Sequence, residues 1–467
     1  MAYRVVVVGG GIAGLSAALR LSDTMGDIRI TLVERSARLG GKLRTGDIAG
    51  RTVETCAETF LAREADDPGG APSAAVRLAH RVGLGDALRH PSTTAAALLA
   101  DGGLRALPGG TLMGVPADLS TLDGLAGPVD PAADADRGGP VLATGADVAV
   151  GALVRERIGG AVVDNLVDPL LGGVYAGRAD DLSLAVTMPG LARACREERT
   201  LRGAVRLALS RRSPAPGPVF ATVDGGLSRL VEAVATATGG LEVVHGRPVT
   251  ALAPAGAGWR LTLGPTRDPR TLEADAVVLA VPSHPAGRIL AGVSEAAAAE
   301  VGTLDYASIG LVTMVMPPGA LDGTGLDGRS GALVPAVSGH MVKAVTVFST
   351  KWAAQPDGAV LLRTSIGRYG EEEALAPDDA SLAALAHEDL AAILDMPLAA
   401  PLATEVHRWG GALPQYAPGH LDRVAAARAA LPGTLALAGA AFDGVGIPAC
   451  VRSGEAAADR VRAALGG

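Results

Sequence analysis

Val5-Val6-Val7-Val8-Gly9-Gly10-Gly11-Ile12-Ala13-Gly14 is the stretch that decides the fold. Four valines bounded by glycine read as a short strand buried on both faces, as in a parallel sheet. Gly9, Gly11 and Gly14 fill the three slots of G-x-G-x-x-G. The first permits a tight turn, the second lets backbone approach a pyrophosphate, and the third lets the next helix pack closely on the strand. That helix is expected over about Ile12–Met25, with its free N–H groups and positive dipole end toward the phosphates. A second apolar run, Ile28–Val33, ends in Glu34. This acid lies about twenty positions past the last glycine, where a carboxylate accepts hydrogen bonds from an adenosine ribose. The glycine pattern alone is weak evidence. With a strand before it, a helix after it and the acid at that distance, it reads as a dinucleotide site.

The 467 residues suffice for two or three domains, and a 48% apolar content can fill a large core. The net charge of −8, with no basic block and no aromatic–basic interleaving, argues against a nucleic-acid partner. Cys56, Cys195 and Cys450 lie far apart with no C-x-x-C, and the histidines lack ligand spacing. Neither a metal site nor a redox dithiol is therefore expected. No apolar run approaches the ~18 residues of a membrane span. The chain enters its first strand at once, leaving no room for a signal peptide, so the expected location is cytoplasmic.

Local signals set further expectations. Asp66-Asp67-Pro68-Gly69-Gly70 marks a loop, and residues 129–147, rich in Asp, Pro, Gly and Ala, read as a flexible link. Asp168-Pro169 should break the helical pattern that begins near Val154, with a glycine-rich loop over Gly172–Gly177. Strands are expected at Leu241–Val244, Val249–Leu252, Ala274–Pro282 and Leu435–Gly439. Helices are expected over Leu230–Thr238 and from about Val451.

Several segments carry a family resemblance. Arg35–Lys42, with Gly40-Gly41 after the ribose acid, resembles the second fingerprint of flavoproteins in the glutathione-reductase and amine-oxidase lineage. Val53–Arg63, VETCAETFLAR, resembles a segment of the protoporphyrinogen/coproporphyrinogen III oxidase family. There it reads roughly acid-x-Gly-Pro/Ala-x-x-Phe-Leu-x-Arg and runs along the isoalloxazine. Val154–Gly177, Asp181–Leu184, Lys351-Trp352, Leu361–Gly370 and Phe442–Cys450 also match the family pattern. The likeness runs from residue 4 to about 460 and is nearest to the bacterial coproporphyrinogen III oxidase type. Two positions depart from it: Cys56 stands where glycine is usual, and Glu64 where some relatives carry a base.

The resemblance implies an α/β fold: an FAD-binding Rossmann-like domain, a mixed-sheet substrate domain and a helical lobe. The cofactor domain would comprise residues 1–85, 217–283 and 405–467, the lobe 86–216 and the substrate domain 284–404. It implies non-covalent FAD held by Gly9, Gly10, Gly11, Ile12, Ala13, Gly14, Glu34, Arg35, Gly40, Gly41 and Lys42. Cys56, Ala57, Glu58, Thr59, Val249, Trp409, Gly439, Val445, Gly446 and Ile447 would complete that site. Gly173, Tyr175, Gly177 and Arg368 would border the porphyrinogen substrate, and Arg363 is a further candidate for its carboxylates. The implied reaction takes six electrons from coproporphyrinogen III by three hydride transfers to flavin, with oxygen as acceptor and hydrogen peroxide as product. Protoporphyrinogen IX is the alternative substrate, and the next enzyme of haem synthesis an implied partner. No acid–base pair is identifiable, which suits a reaction driven by gain of aromaticity. A flavin amine oxidase fits less well, since there is no cysteine between Trp409 and Gly439 and no aromatic residue near Ala449. GVYAG and IPAC do not suit a carotenoid desaturase. Cys56 is the one feature favouring a non-catalytic flavin- or porphyrin-binding protein.

Overall fold

In the computed structural model the four valines form the centre of a five-stranded parallel sheet. Its order is Leu241–Val244, Ile28–Val33, Tyr3–Val8, Ala276–Leu279 and Leu435–Leu437. The beginning, middle and end of the chain thus share one sheet, with every neighbouring pair parallel. The structure describes residues 2–466 apart from 65–68, 123, 128, 213–216 and 353–354. Val5 and Val7 enter a core shared with the opening helix Ile12–Thr24 and the closing helix Ile447–Ala464. Val6 and Val8 enter a second core with Leu252, Trp259 and Leu261. Burial on both faces is why the strand is uninterrupted valine rather than alternating apolar and polar.

The opening and closing helices lie against each other because Gly454 allows it. A Cβ at Gly454 would run into the carbonyl oxygen of Ala13, so only glycine permits this approach. The closing helix starts four residues earlier than expected, at Ile447 rather than near Val451. The cause is Pro448, which fits the first helical turn, where its missing N–H has no partner to lose. Asp66, Asp67 and Pro68 of the expected loop lie outside the described residues. Just beyond that loop Ser73 caps a helix, Ala74–Arg81, by accepting from the Val76 N–H at 3.3 Å.

A seven-stranded mixed sheet forms the second layer. Its order is Ala403–Pro414, Tyr306–Met316, Val360–Ile366, Val342–Val347, Gly331–Leu333, Ala96–Ala100 and Gly103–Ala106. Only the pairing of Gly331–Leu333 with Ala96–Ala100 is parallel. Strands from residues 96–106 and 403–414 join it, so boundaries placed at 86 and 404 cut through this sheet.

Two expectations about the lobe are corrected. Residues 129–147 are pinned rather than loose. Asp134 is buried and accepts the Leu201 and Arg202 N–H groups at 2.7 and 2.9 Å, capping the helix Leu201–Ser210. Asp147 likewise holds Ser183 and Ala185. Composition signalled a loop; two aspartates acting at a distance in sequence order it. Nor does Asp168-Pro169 break the helical path. A π-helical turn over Val163–Val167 precedes it, and the helix continues through Asp168–Tyr175. The proline sits at the start of this new stretch, where it is tolerated. The expected glycine loop is therefore helical up to Tyr175, and Ala176 alone, at φ +50°, turns the chain out.

Gly454→Val forces the opening and closing helices apart. Denaturant titration is expected to show a loss of about 3 kcal/mol or insoluble protein, whereas unchanged stability would refute the close-contact account.

Candidate functional site

The glycines of the opening turn have different causes. Gly9 has φ +107°, and a Cβ there would strike the carbonyl of Ala280. A Cβ at Gly14 would strike the carbonyl oxygen of Gly9. The fold itself demands both. Gly11 is different. Its φ of −74° suits any residue, and a Cβ there would meet nothing within 4 Å. Nothing within the chain requires glycine at that point, so it leaves a cradle that a Cβ would fill. Gly40 donates to the Gly10 carbonyl at 2.8 Å, and a Cβ on Gly41 would lie 3.4 Å from the Gly11 Cα. The two glycine segments therefore cross at the cradle.

Glu34 stands beside it, buried. Its carboxylate accepts the Gly10 and Ser36 N–H groups, each at 2.8 Å. Gly246 and Arg247 donate to the Ser36 and Glu34 carbonyls at 3.0 and 3.2 Å, which delivers Val249 to the same end. Arg35 is exposed, while Lys42 is largely enclosed near Cys56 and Cys450. Burial lowers the Lys42 pKa, with the two thiols opposing the shift.

Two helices open onto this region without capping side chains. The opening helix is preceded by Gly11 and the closing helix by Gly446, at φ +103°. A Cβ at Gly446 would also meet nothing within 4 Å. Each start presents N–H groups and a positive dipole end. Ile12, Ala13 and Ile447 are buried supports beneath these turns, and Val445 packs toward the lobe. Gly439, at φ +111°, donates to Ser453 Oγ at 2.7 Å, and Ser453 bonds Asp443, which Arg428 holds.

The segment 54–59 is braced from several directions. Trp409 Nε1 donates to the Thr55 carbonyl at 2.7 Å, and Thr55 N–H donates to Arg44 at 2.8 Å. Arg363 donates to the Glu54 and Cys56 carbonyls at 2.7 and 3.1 Å and pairs with Glu58 at 3.2 Å. Lys351 pairs with the other Glu58 oxygen. Ala57 and Thr59 lie half-buried between these anchors. Glu54 accepts the Leu227 N–H at 2.6 Å and the Thr45 hydroxyl at 3.0 Å, and burial pushes its carboxyl above the usual range. Burial also raises the Cys56 thiol, which keeps it unreactive. The Arg363 guanidinium is thus committed to the protein, which corrects its reading as a substrate-carboxylate binder. Glu64 has a structural task too, accepting the Ala74 N–H at 2.9 Å and pairing with Arg77 and Arg452 at 3.2 and 2.5 Å.

The four substrate candidates divide. A Cβ on Gly173 would lie 3.1 Å from Leu333, and Arg368 donates to the Val334 carbonyl at 3.2 Å, so these two meet at one strand end. Tyr175 and Gly177 meet instead at Gln415. Gln415 donates to the Tyr175 carbonyl at 2.9 Å, and a Cβ at Gly177 would strike its side-chain oxygen. The Tyr175 ring stands edge-on to Tyr416 at 6.0 Å, and burial pushes its phenol up to about 12. Sequence reasoning missed the bracing roles of Glu54, Arg363 and Ser453. For Arg363 the available signal was a charge inside the apolar run Val360–Ile366, which calls for a partner.

Among the described residues there is no cluster of three or more His, Cys, Asp or Glu able to hold a metal. No helix there is long and apolar enough to cross a membrane.

Residues 12–462 match the family model described as flavin containing amine oxidoreductase. The chain is 38% identical to the coproporphyrinogen III oxidase of Mycobacterium tuberculosis (strain ATCC 25618 / H37Rv), over 98% of this chain and 97% of that one. It is 31% identical to the coproporphyrinogen III oxidase of Bacillus subtilis (strain 168), over 97% and 96%. Among solved structures it resembles one described as a protoporphyrinogen oxidase, from Exiguobacterium sp. 255-15. The TM-score is 0.82 and the identity 27%, over 99% of both chains.

Replacing Arg363 by Met leaves Glu58 half-paired and two carbonyls without a donor. Stability should fall by about 3 kcal/mol, and Arg363→Lys should not restore it, because an ammonium lacks the planar fork that reaches three acceptors. Denaturant midpoints of the three proteins check this; full rescue by lysine would contradict it.

Proposed function

The chain belongs to the flavin containing amine oxidoreductase family, among its coproporphyrinogen III oxidases, and from this we propose that it converts coproporphyrinogen III to coproporphyrin III. The reaction removes six hydrogens from the macrocycle and its bridges. With oxygen as acceptor it balances as one porphyrinogen and three dioxygen giving one porphyrin and three hydrogen peroxide. The observation that carries the reading is the end-to-end likeness to relatives of that activity.

Bound FAD would supply a two-electron acceptor that the amino acids lack. The residues present fit it. The cradle at Gly11, crossed by Gly40-Gly41, is cut to admit a pyrophosphate against the opening helix. Glu34 would take the ribose hydroxyls, and the Val249 end of its loop the adenine. The uncapped start at Gly446 would favour negative charge on the pyrimidine end of the ring system. The braced 54–59 segment and Trp409 would form a rigid wall against the ring, which limits reorganisation while substrate is held. Lys42 would add positive charge there. No cysteine stands between Trp409 and Gly439, where many amine oxidases attach flavin, so FAD would be held without a covalent bond.

No side chain is assigned as general acid or base, since the porphyrin's aromatic stabilisation drives proton loss once electrons leave. The chain's contribution is to bind, orient and exclude water. Oxygen as the acceptor, a cytoplasmic location and hand-over of product to the next enzyme of haem synthesis belong to this proposal. Protoporphyrinogen IX is a second reading, favoured by the description of the Exiguobacterium structure. The absence of a membrane-crossing helix among the described residues suits the more soluble four-carboxylate compound.

Gly11→Val should leave the stability of the flavin-free protein within about 1 kcal/mol of the parent, because its conformation and surroundings accept a side chain. The purified variant should nevertheless lack the flavin absorbance bands. Normal flavin content would refute the cradle. Chromatography of products from each porphyrinogen should show faster turnover of coproporphyrinogen III; equal or faster turnover of protoporphyrinogen IX would favour the second reading.

A further inference from the structure

Lys343 is buried with no ion-paired carboxylate among the described residues. The residue is 5% exposed, and its ammonium makes no hydrogen bond or ion pair with any described residue. Its strand explains where it points. Val342 and Val345 both pack into the core beneath the helix Asp379–Ile393, and the pairing with Val360–Ile366 shifts between Val342 and Ala344. That bulge leaves Lys343 and Ala344 together on the opposite face, where Ala344 pairs with Ser365 and Thr346 with Arg363. This face carries the Arg363 brace of segment 54–58 and meets the helix Asp168–Tyr175 at Gly173 and Leu333.

The surroundings add positive charge rather than cancel it. Arg368, 8% exposed, lies close to Lys343, held by the Val334 and His340 carbonyls at 3.2 and 3.4 Å. Glu371 pairs with Arg368 at 3.5 Å but is shared with Arg178 at 3.4 Å. Asp168, also near Arg368, already accepts the Ala179 N–H at 2.7 Å. Two buried cations thus face one shared and one engaged carboxylate. An ammonium kept in such a place without a partner is costly; it either gives up its proton or takes an anion from outside the chain.

We propose that Lys343, backed by Arg368, anchors a propionate carboxylate of the tetrapyrrole on the sheet face that also carries Arg363. The assignment rests on the functional reading above and adds to it the residue that fixes one substrate arm. Arg368 is then a positioning residue, orienting the charge field while its own donors stay on the Val334 and His340 carbonyls and on Glu371. Burial lowers the Lys343 pKa to about 7, with Arg368 acting in the same sense and Glu371 against it. A bound carboxylate would reverse that shift.

The test uses the flavin-loaded protein with Lys343→Met, Lys343→Gln and Lys343→Arg. Coproporphyrin III binding is followed by fluorescence, and KM and kcat are measured with coproporphyrinogen III. Lys343→Met should keep its flavin spectrum and melt at a higher temperature than the parent, because a buried unpaired charge is replaced by an apolar chain of similar length. It should bind coproporphyrin III about ten-fold more weakly, the loss of one charge-assisted contact. KM should rise to match, with kcat little changed. Lys343→Arg should recover most of the affinity. If the methionine variant is insoluble, the glutamine variant carries the same expectation. Parent affinity and KM in either neutral variant would overturn the proposal. So would a lowered melting point with kcat reduced and KM unchanged, which marks a purely structural lysine. A parent protein that neither binds coproporphyrin III nor oxidises its porphyrinogen overturns the functional reading and this assignment together. A competent parent with indifferent variants overturns the assignment alone.

Discussion

Two helix starts that no side chain caps, one at each end of a 467-residue chain, are the constraint around which this molecule is arranged. Unpaired N–H groups and a positive dipole end attract an electron-rich group. Both starts depend on one parallel sheet, because strands Tyr3–Val8 and Leu435–Leu437 belong to it together. In open parallel sheets the crevice beyond the carboxyl ends of the strands is where ligands bind. The contact of Ala13 with Gly454 then fixes the two helices against each other. The same arrangement explains why so much intervening chain can be inserted without disturbing the site.

Rigidity is the second requirement of the site. Segment 54–59 carries polar carbonyls into a partly buried place, and these need partners. Trp409 and Arg363, both from the seven-stranded sheet, supply them. The sheet that would face a substrate is thereby tied to the domain that would hold the cofactor. Arg363 and Lys343 share a sheet face yet differ in kind. The first has its acceptors within the protein; the second makes no hydrogen bond or ion pair with any described residue.

Much of this was legible in the sequence because it rests on local rules. Val5–Gly14, Ile28–Glu34 and Gly40-Gly41 are short and their spacing is read directly; Gly9, Gly14 and Gly40 have steric causes inside the chain, and Gly11 stands out by having none. The five-stranded order was not written locally: the sequence marks Ala274–Pro282 as a buried run but not its place beside Tyr3–Val8. What escaped depends on contacts between distant positions. Asp134 orders a stretch whose composition says loop, by capping a helix more than sixty residues further on. The π-helical turn ahead of Asp168-Pro169 hides a proline that ordinarily stops a helix. The commitment of Arg363 to backbone carbonyls could not be read from LLRTSIGRYG, where it is one of two equivalent-looking arginines. Lys343 escapes for the opposite reason: a single lysine in a strand usually points to water, but both faces of this strand are covered.

The most direct test mixes the purified protein with coproporphyrinogen III in the absence of oxygen while its absorbance is recorded. The account predicts flavin bands in the isolated protein, bleached by the porphyrinogen as porphyrin absorbance appears, and restored when oxygen is admitted. A protein that stays colourless after soaking in FAD, or whose flavin bands are indifferent to the porphyrinogen, would contradict it.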